Sequence, residues 1–267
     1  MRVQSTLVIA LAAFAGCASA PRPTNAPLVP RAASTADMSA IARIEADGRA
    51  IYRQDQAAQR ARDALAAQGI AMPLPDVGGW IVTELPQGTR ASLFVEDADA
   101  VAHVEADVLL PLPGKGLPPQ VTSRPARAPD ATEVAMYRAR QTALANADEL
   151  CGAAFGTVIL AGADQRWQVY LYPESNRSKV IPLGPLLRFD VSADGTRLES
   201  SEAFSKQCIS MADSDAELYV RLEDRPQGDL PVPMDVFLSL THPKPIMVST
   251  GGQLWLVENG RIKPKGP

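Results

Sequence analysis

The two histidines of the chain, His103 and His242, bound the acid–base and metal chemistry open to it. The run His103-Val104-Glu105-Ala106-Asp107 puts three polar side chains at alternate positions. On a strand, alternate side chains share a face, with about 6 to 7 Å between successive Cα atoms, so the three could hold Zn²⁺. The same alternation is the ordinary mark of a strand with one solvated face, and that reading is preferred. His242 stands in Thr241-His242-Pro243-Lys244-Pro245, with Asp235 near in sequence as the partner of a general base. Here too the plainer reading, a connector between two strands punctuated by proline, is preferred, because no nucleophile stands beside it.

The chain has three cysteines, Cys17, Cys151 and Cys208. A catalytic thiolate needs a low-pKa setting and a histidine, and the pairing of Cys151 with Cys208 expected in an exported chain argues against one. The sequence contains no G-x-S-x-G elbow, phosphate-binding loop, dinucleotide fingerprint, H-E-x-x-H or Cys/His zinc spacing. Asn176-Arg177-Ser178 matches a glycosylation sequon, and the acidic group Asp213, Asp215, Glu217 lacks the spacing of a calcium loop. No catalytic, cofactor-binding or metal-ligating residue is therefore assigned. A non-enzymatic binding or accessory role is expected. The alternative is a periplasmic hydrolase using His242 or a His103/Glu105/Asp107 metal site.

Composition excludes other classes. Hydrophobic residues make up 46% and charged residues 21% of 267, enough for a buried core and unlike a disordered chain. A net charge of −4 argues against nucleic acid as the partner, because phosphate neutralisation needs clustered Lys and Arg. Proline is abundant, with 23 residues.

The N-terminus reads as an export signal. Arg2 precedes an apolar run over residues 7–15, too short for a bilayer span of roughly 20 residues. Phe14-Ala15-Gly16-Cys17 resembles the lipobox of bacterial lipoproteins, with Phe14 in place of the usual Leu. The resemblance implies cleavage before Cys17, acylation of that cysteine and, with Ala18 following it, the outer membrane. The rival site is Ala18-Ser19-Ala20, which would give a soluble periplasmic or secreted chain starting at Pro21. Pro21, Pro23, Pro27 and Pro30 make residues 18–33 an extended tether, as a surface-anchored domain requires. If Cys17 carries lipid, an even pair of cysteines remains in an oxidising compartment, and a Cys151–Cys208 disulfide is expected.

The rest of the chain must supply the scaffold. Ile41, Ile44, Ile51, Ala58 and Leu65 recur at helical spacing and predict a helix over residues 36–68, with Gly48 interrupting the stripe. Strands are expected at 80–85, 90–95 and 100–110. Six prolines in 111–130 forbid a regular element and mark a linker. A second helix is expected over 131–151, capped by Asp130 or Thr132 with Glu133 in the first turn, and with Val134, Tyr137, Leu144, Ala147 and Cys151 on one face. Strands follow at 157–160, 166–172, 187–191 and 196–199, then a terminal meander of strands at 236–240, 246–250 and 254–258.

The domain reading is a cleaved signal peptide at 1–17, a tether at 18–33, an α+β region at 34–110, a linker at 111–130 and an α+β domain at 131–262. Helices first and hairpins after make the fold class α+β, a long N-terminal helix plus hairpin and then a helix on a mostly antiparallel sheet. The helix at 133–150, Trp167-Gln168-Val169-Tyr170 and Phe189-Asp190-Val191-Ser192-Ala193-Asp194-Gly195 resemble the helix–strand–hairpin order of PepSY-like periplasmic modules. That resemblance implies a binding or inhibitory role. The expected partners are the membrane, through the lipidated N-terminus, and an envelope protein.

Overall fold

In a computed structural model the described residues are 34–70, 77–97, 102–114, 116–123, 127–147, 150, 155–174, 180–182, 184, 186–205, 208, 210–212, 219–222, 230–242, 244–250 and 253–265. The signal, Cys17, the tether, Cys151, the sequon at 176–178 and the acidic group at 213–217 lie outside them.

Helix α1 (Thr35–Ala67) opens the described chain. Ser34 caps it: its hydroxyl accepts from Asp37 N at 3.1 Å, and Asp37 Oδ2 accepts from Ser34 N at 2.7 Å. Such a box satisfies two helix-end donors and contributes about 1 kcal/mol. The antiparallel meander β1 (Val77–Leu85), β2 (Gly88–Glu96), β3 (Ala102–Pro111) and β4 (Gln120–Thr122) follows, paired in chain order. Ala57, Ala61 and Leu65 of α1 pack on one face of this sheet, against Leu93, Val108 and their neighbours.

Helix α2 (Ala131–Ala145) comes next and is shorter than its periodicity implied, because Asn146 caps it with ψ near 7°. Its buried side is Glu133, Met136, Tyr137, Ala139 and Ala143. A second antiparallel sheet has the order β5-β6-β8-β9, from β5 (Phe155–Ala161), β6 (Trp167–Pro173), β8 (Leu186–Val191) and β9 (Leu198–Ser205). The short β7 (Val180–Pro182) pairs with β10 (Ser210–Ala212) instead. Met136 and Tyr137 lie in one apolar cluster with Ile81 and Phe94 of the first sheet and Val169 and Phe189 of the second. The cluster draws on both sides of the proline-rich 111–130 stretch, which is not free of regular structure as its prolines implied: β4 fits between Pro119 and Pro125 and pairs with β3.

The C-terminal part holds β11 (Tyr219–Leu222), α3 (Pro233–Thr241), β12 (Ile246–Thr250), β13 (Gln253–Glu258) and β14 (Arg261–Lys265). Residues 236–240, expected as a strand, are helical. Pro233 stands in the first helical turn, and Asp235 accepts from Val232 N at 2.8 Å, two start signals for a helix. Every residue from 233 to 239 is buried, so no polar face revealed the helical period. The sheet β11-β12-β13-β14 has one parallel pair, β11 with β12, bridged by α3. The fold is α+β and its sheets are mostly antiparallel. Among the described residues no helix is long and apolar enough to cross a membrane.

Candidate functional site

The strand with His103 does not present three polar groups on one face. Register between β2 and β3 shifts at Leu93/Phe94: Leu93 faces Ala106 and Phe94 faces Val104, so Glu105 is an extra residue. A bulge of this kind reverses which face the following side chains take. Val104 therefore joins the α2 side, while Ala106 and Val108 join the α1 side. His103 Nε2 lies 3.7 Å from Glu105 Oε2 at a half-exposed position. Asp107 is turned to a different cluster. Among the described residues no group of three His, Cys, Asp or Glu side chains is placed to hold a metal.

Asp107 instead anchors a charged network at the start of α2. Arg127 grips it with two bonds, Nε to Oδ2 at 2.5 Å and Nη2 to Oδ1 at 2.8 Å. Arg127 also donates to both oxygens of Glu133, at 2.8 and 2.7 Å. Ser92 Oγ donates to Asp107 at 2.7 Å and lies 3.1 Å from Glu133 Oε1, and Arg90 Nη2 reaches Glu133 at 2.9 Å. Glu133 is fully buried and accepts from Asp130 N as part of the α2 cap. Burial alone would push the Glu133 carboxyl up. The bonds from Arg127 and Asp130, with the Arg90 charge, outweigh it and hold the group below the usual carboxylate range. Apart from Arg90 Nε, which is buried without a partner, these groups pair with one another and tie β2, β3 and the end of the proline-rich stretch to α2.

His242 and Asp235 do not meet as a base and its partner. They occupy opposite ends of α3, about 10 Å apart along a helix rising 1.5 Å per residue. Asp235 is buried in the helix cap. His242 is placed elsewhere, in the wall of a cleft with Asp55 and Tyr172.

This cleft is the candidate site, and α1 builds it. Ile41, Glu45, Gly48, Ile51 and Asp55 are buried at helical spacing, so two acids stand on the core-facing stripe. Glu45 is satisfied by Ile262 N at 2.8 Å and by Arg49 and Arg261, which fastens α1 to β14. Asp55 meets Tyr172 at the end of β6: the hydroxyl donates to Oδ1 at 2.6 Å, and Gln59 Nε2 donates to Oδ2 at 2.7 Å. Burial pushes the Asp55 carboxyl above its usual value, and the bonds from Tyr172 and Gln56 offset this only in part. Burial and the adjacent Asp55 charge push the Tyr172 phenol far up, so it stays a donor.

Two lobes share Asp55, Arg62, Tyr172 and Glu174. The larger, about 310 Å³, runs to Phe237, Leu238, Thr241 and His242 at the end of α3. The smaller, about 180 Å³, runs between β1 and β5 to Trp80, Thr157 and Arg140. The arrangement offers apolar walls with a few convergent polar groups, the usual make-up of a small-ligand site. Sequence reasoning missed Asp55; the signal that could have found it is an acid in register with the apolar stripe of α1. Tyr172, Arg62 and Arg140 carried no signal of their own.

Cys208 is exposed and disulfide-bonded. Comparison of the chain with protein-family models, curated proteins and solved structures finds no match.

Proposed function

We propose that the chain is an exported protein of the bacterial envelope, anchored at the outer membrane through acylated Cys17. It stands off the membrane on the 18–33 tether and is held by a Cys151–Cys208 disulfide. Its role is that of a non-enzymatic binding or accessory module, the role implied by the resemblance of residues 133–150, 167–170 and 189–195 to the helix–strand–hairpin order of PepSY-like periplasmic modules. The observation that carries the binding reading is the two-lobed cleft around Asp55 and Tyr172, which combines apolar walls with polar groups drawn from α1, α2, α3, β5 and β6. Its ligand is a small molecule or a protruding group of an envelope protein partner.

Intact mass of the protein from an envelope fraction, before and after reduction and alkylation, tests the anchor and the bridge. The expected mass begins at Cys17, carries acyl chains and exposes two thiols only on reduction. A mass beginning at Pro21, or thiols alkylated without reduction, overturns those two statements.

The position of His242 in the cleft favours one second reading, a hydrolase in which that imidazole moves a proton. Turnover on envelope substrates that is abolished in His242→Ala would replace the binding reading. Absence of turnover in both proteins, with ligand saturation of the cleft, supports it.

A further inference from the structure

The smaller lobe lies where two sheet edges meet. β1 is the edge of the first sheet and β5 the edge of the second, and their facing backbones leave a slot over α2. Two polar atoms at this slot are buried without a hydrogen bond, Arg140 Nε and Thr157 Oγ1. Native interiors rarely leave such groups unsatisfied, so two beside one cavity point to an occupant.

The charges of the slot are unequally used. Glu174 is near Arg62, at 3.9 Å. Asp55 accepts from Tyr172 and Gln59. Among the described residues no carboxylate lies within ion-pair distance of Arg140; its electrostatic neighbours are Tyr137 and Glu96. Glu96 in turn accepts from the Tyr137 hydroxyl and from Gln141 Nε2 at 3.0 Å.

The backbone is shaped around this cation. A Cβ added at Gly79 would sit 2.8 Å from the Arg140 guanidinium carbon, and Gly79 has φ +112°, a conformation side-chain-bearing residues rarely adopt. Pairing of β1 with β2 also slips between Val77 and Gly79. The chain thus brings glycine and a bulge to the one point where the guanidinium lies against the strand.

We propose that the β1/β5 slot binds a monocarboxylate with a short apolar substituent, its carboxylate gripped by Arg140 and Thr157 and its substituent lying against Trp80 and Phe155. A carboxylate matches the planar fork of a guanidinium and accepts from a hydroxyl as well. At about 180 Å³ the slot has room for roughly six waters' volume, which limits the ligand to a small acid or one terminal residue of a peptide. Asp55 and Glu174 on the same wall disfavour a dianion such as phosphate. The proposal rests on the cleft being a binding site, and it names the ligand chemistry of one lobe.

The test follows tryptophan fluorescence and the thermal midpoint of the mature protein, since Trp80 lines the slot. The probes are isobutyrate for a free acid, N-acetyl-alanyl-alanine for a peptide C-terminus, the amides of both, and inorganic phosphate. Saturation by at least one carboxylate, about tenfold weaker with its amide and with phosphate, is expected. Arg140→Gln should abolish saturation and Thr157→Val should weaken it. Arg138→Gln, at an exposed position on the same helix, should leave it unchanged. Which carboxylate saturates first separates the free-acid source from the peptide source. If Arg140→Gln lowers stability, the amide comparison and Thr157→Val decide without it. Equal response to acid and amide, or no saturation, overturns the carboxylate slot. Saturation that survives Arg140→Gln also overturns it, while leaving the cleft a binding site through its larger lobe.

Discussion

The Tyr172 hydroxyl donates to Asp55 at 2.6 Å across 117 positions of sequence, in a buried contact that joins the end of β6 to the middle of α1. Burial raises the Asp55 carboxyl, so folding disfavours its ionised form. The native state then holds the proton more tightly than the unfolded chain, and stability contributed here falls as pH rises above the unfolded value. Asp55→Asn keeps an acceptor for Tyr172 and removes the charge. Relative to the parent, the variant should gain on going from about pH 3 to about pH 7, by roughly 1 kcal/mol. Urea unfolding at the two pH values measures it, and a parent that gains on the variant toward neutrality would contradict the burial argument.

Tyr172→Phe removes the donor and leaves the acid. At about pH 7 it should cost roughly 1 to 3 kcal/mol, the penalty for an unsatisfied buried group. The loss should shrink in acid, where Asp55 is neutral. The same unfolding experiment checks it, and an equal loss at both pH values would assign the effect to packing against Phe237, whose ring centre lies 5.0 Å away.

Arg127 is the hinge pin of the other buried network. Arg127→Met leaves Glu133, fully buried, without its main partner. Removing one member of a buried pair costs about 3 kcal/mol or more. Adding Glu133→Gln should recover part of this, because the stranded charge goes with it. Asp107 and Glu133 are both held below the usual carboxylate range. Their contribution is therefore present above the unfolded value and lost as acid protonates them in the fold. A double-mutant cycle by denaturant unfolding gives the coupling, and additive losses would show that the bonds are not acting together.

Gly48 sits where α1 crosses α3. An added Cβ would lie 2.4 Å from Val236 Cβ and 2.5 Å from the Pro233 carbonyl oxygen. Alanine is the better helix former by about 1 kcal/mol, yet overpacking at a rigid crossing costs about 1 to 3 kcal/mol. Gly48→Ala should therefore destabilise by up to about 2 kcal/mol net. Val236→Ala in the same chain should relieve part of the strain. A thermal midpoint that rises in the single variant would show that the helices separate freely.

Zinc calorimetry tests the bulge in β3. With Asp107 held by Arg127 and, among the described residues, only Glu105 paired with His103, no saturable heat above background is expected. Tight binding lost in His103→Ala would mean that the register of β2 and β3 differs in solution.

The sequence by itself determined the elements with a visible period or a punctuating residue. The stripe from Ile41 to Leu65 marked α1, Asp130 with Glu133 marked the start of α2, and turns such as Asp194-Gly195 marked hairpins. Local backbone preference and one-sided burial are written in nearest neighbours, so they are legible without a fold. Helix α3 was not, because all its faces are buried and its period carries no contrast.

Tertiary structure decided everything that depends on distant partners. One extra residue at Glu105 separated His103 from Asp107, a register effect of β2 on β3. Gly48 read as a flaw in a helix until α3 crossed it. Asp55 carried no reading of its own until Tyr172 and His242 arrived from 117 and 187 residues away to make a cleft of it. Burial and electrostatic compensation belong to a site, not to a residue type, and the site exists only once these elements have packed.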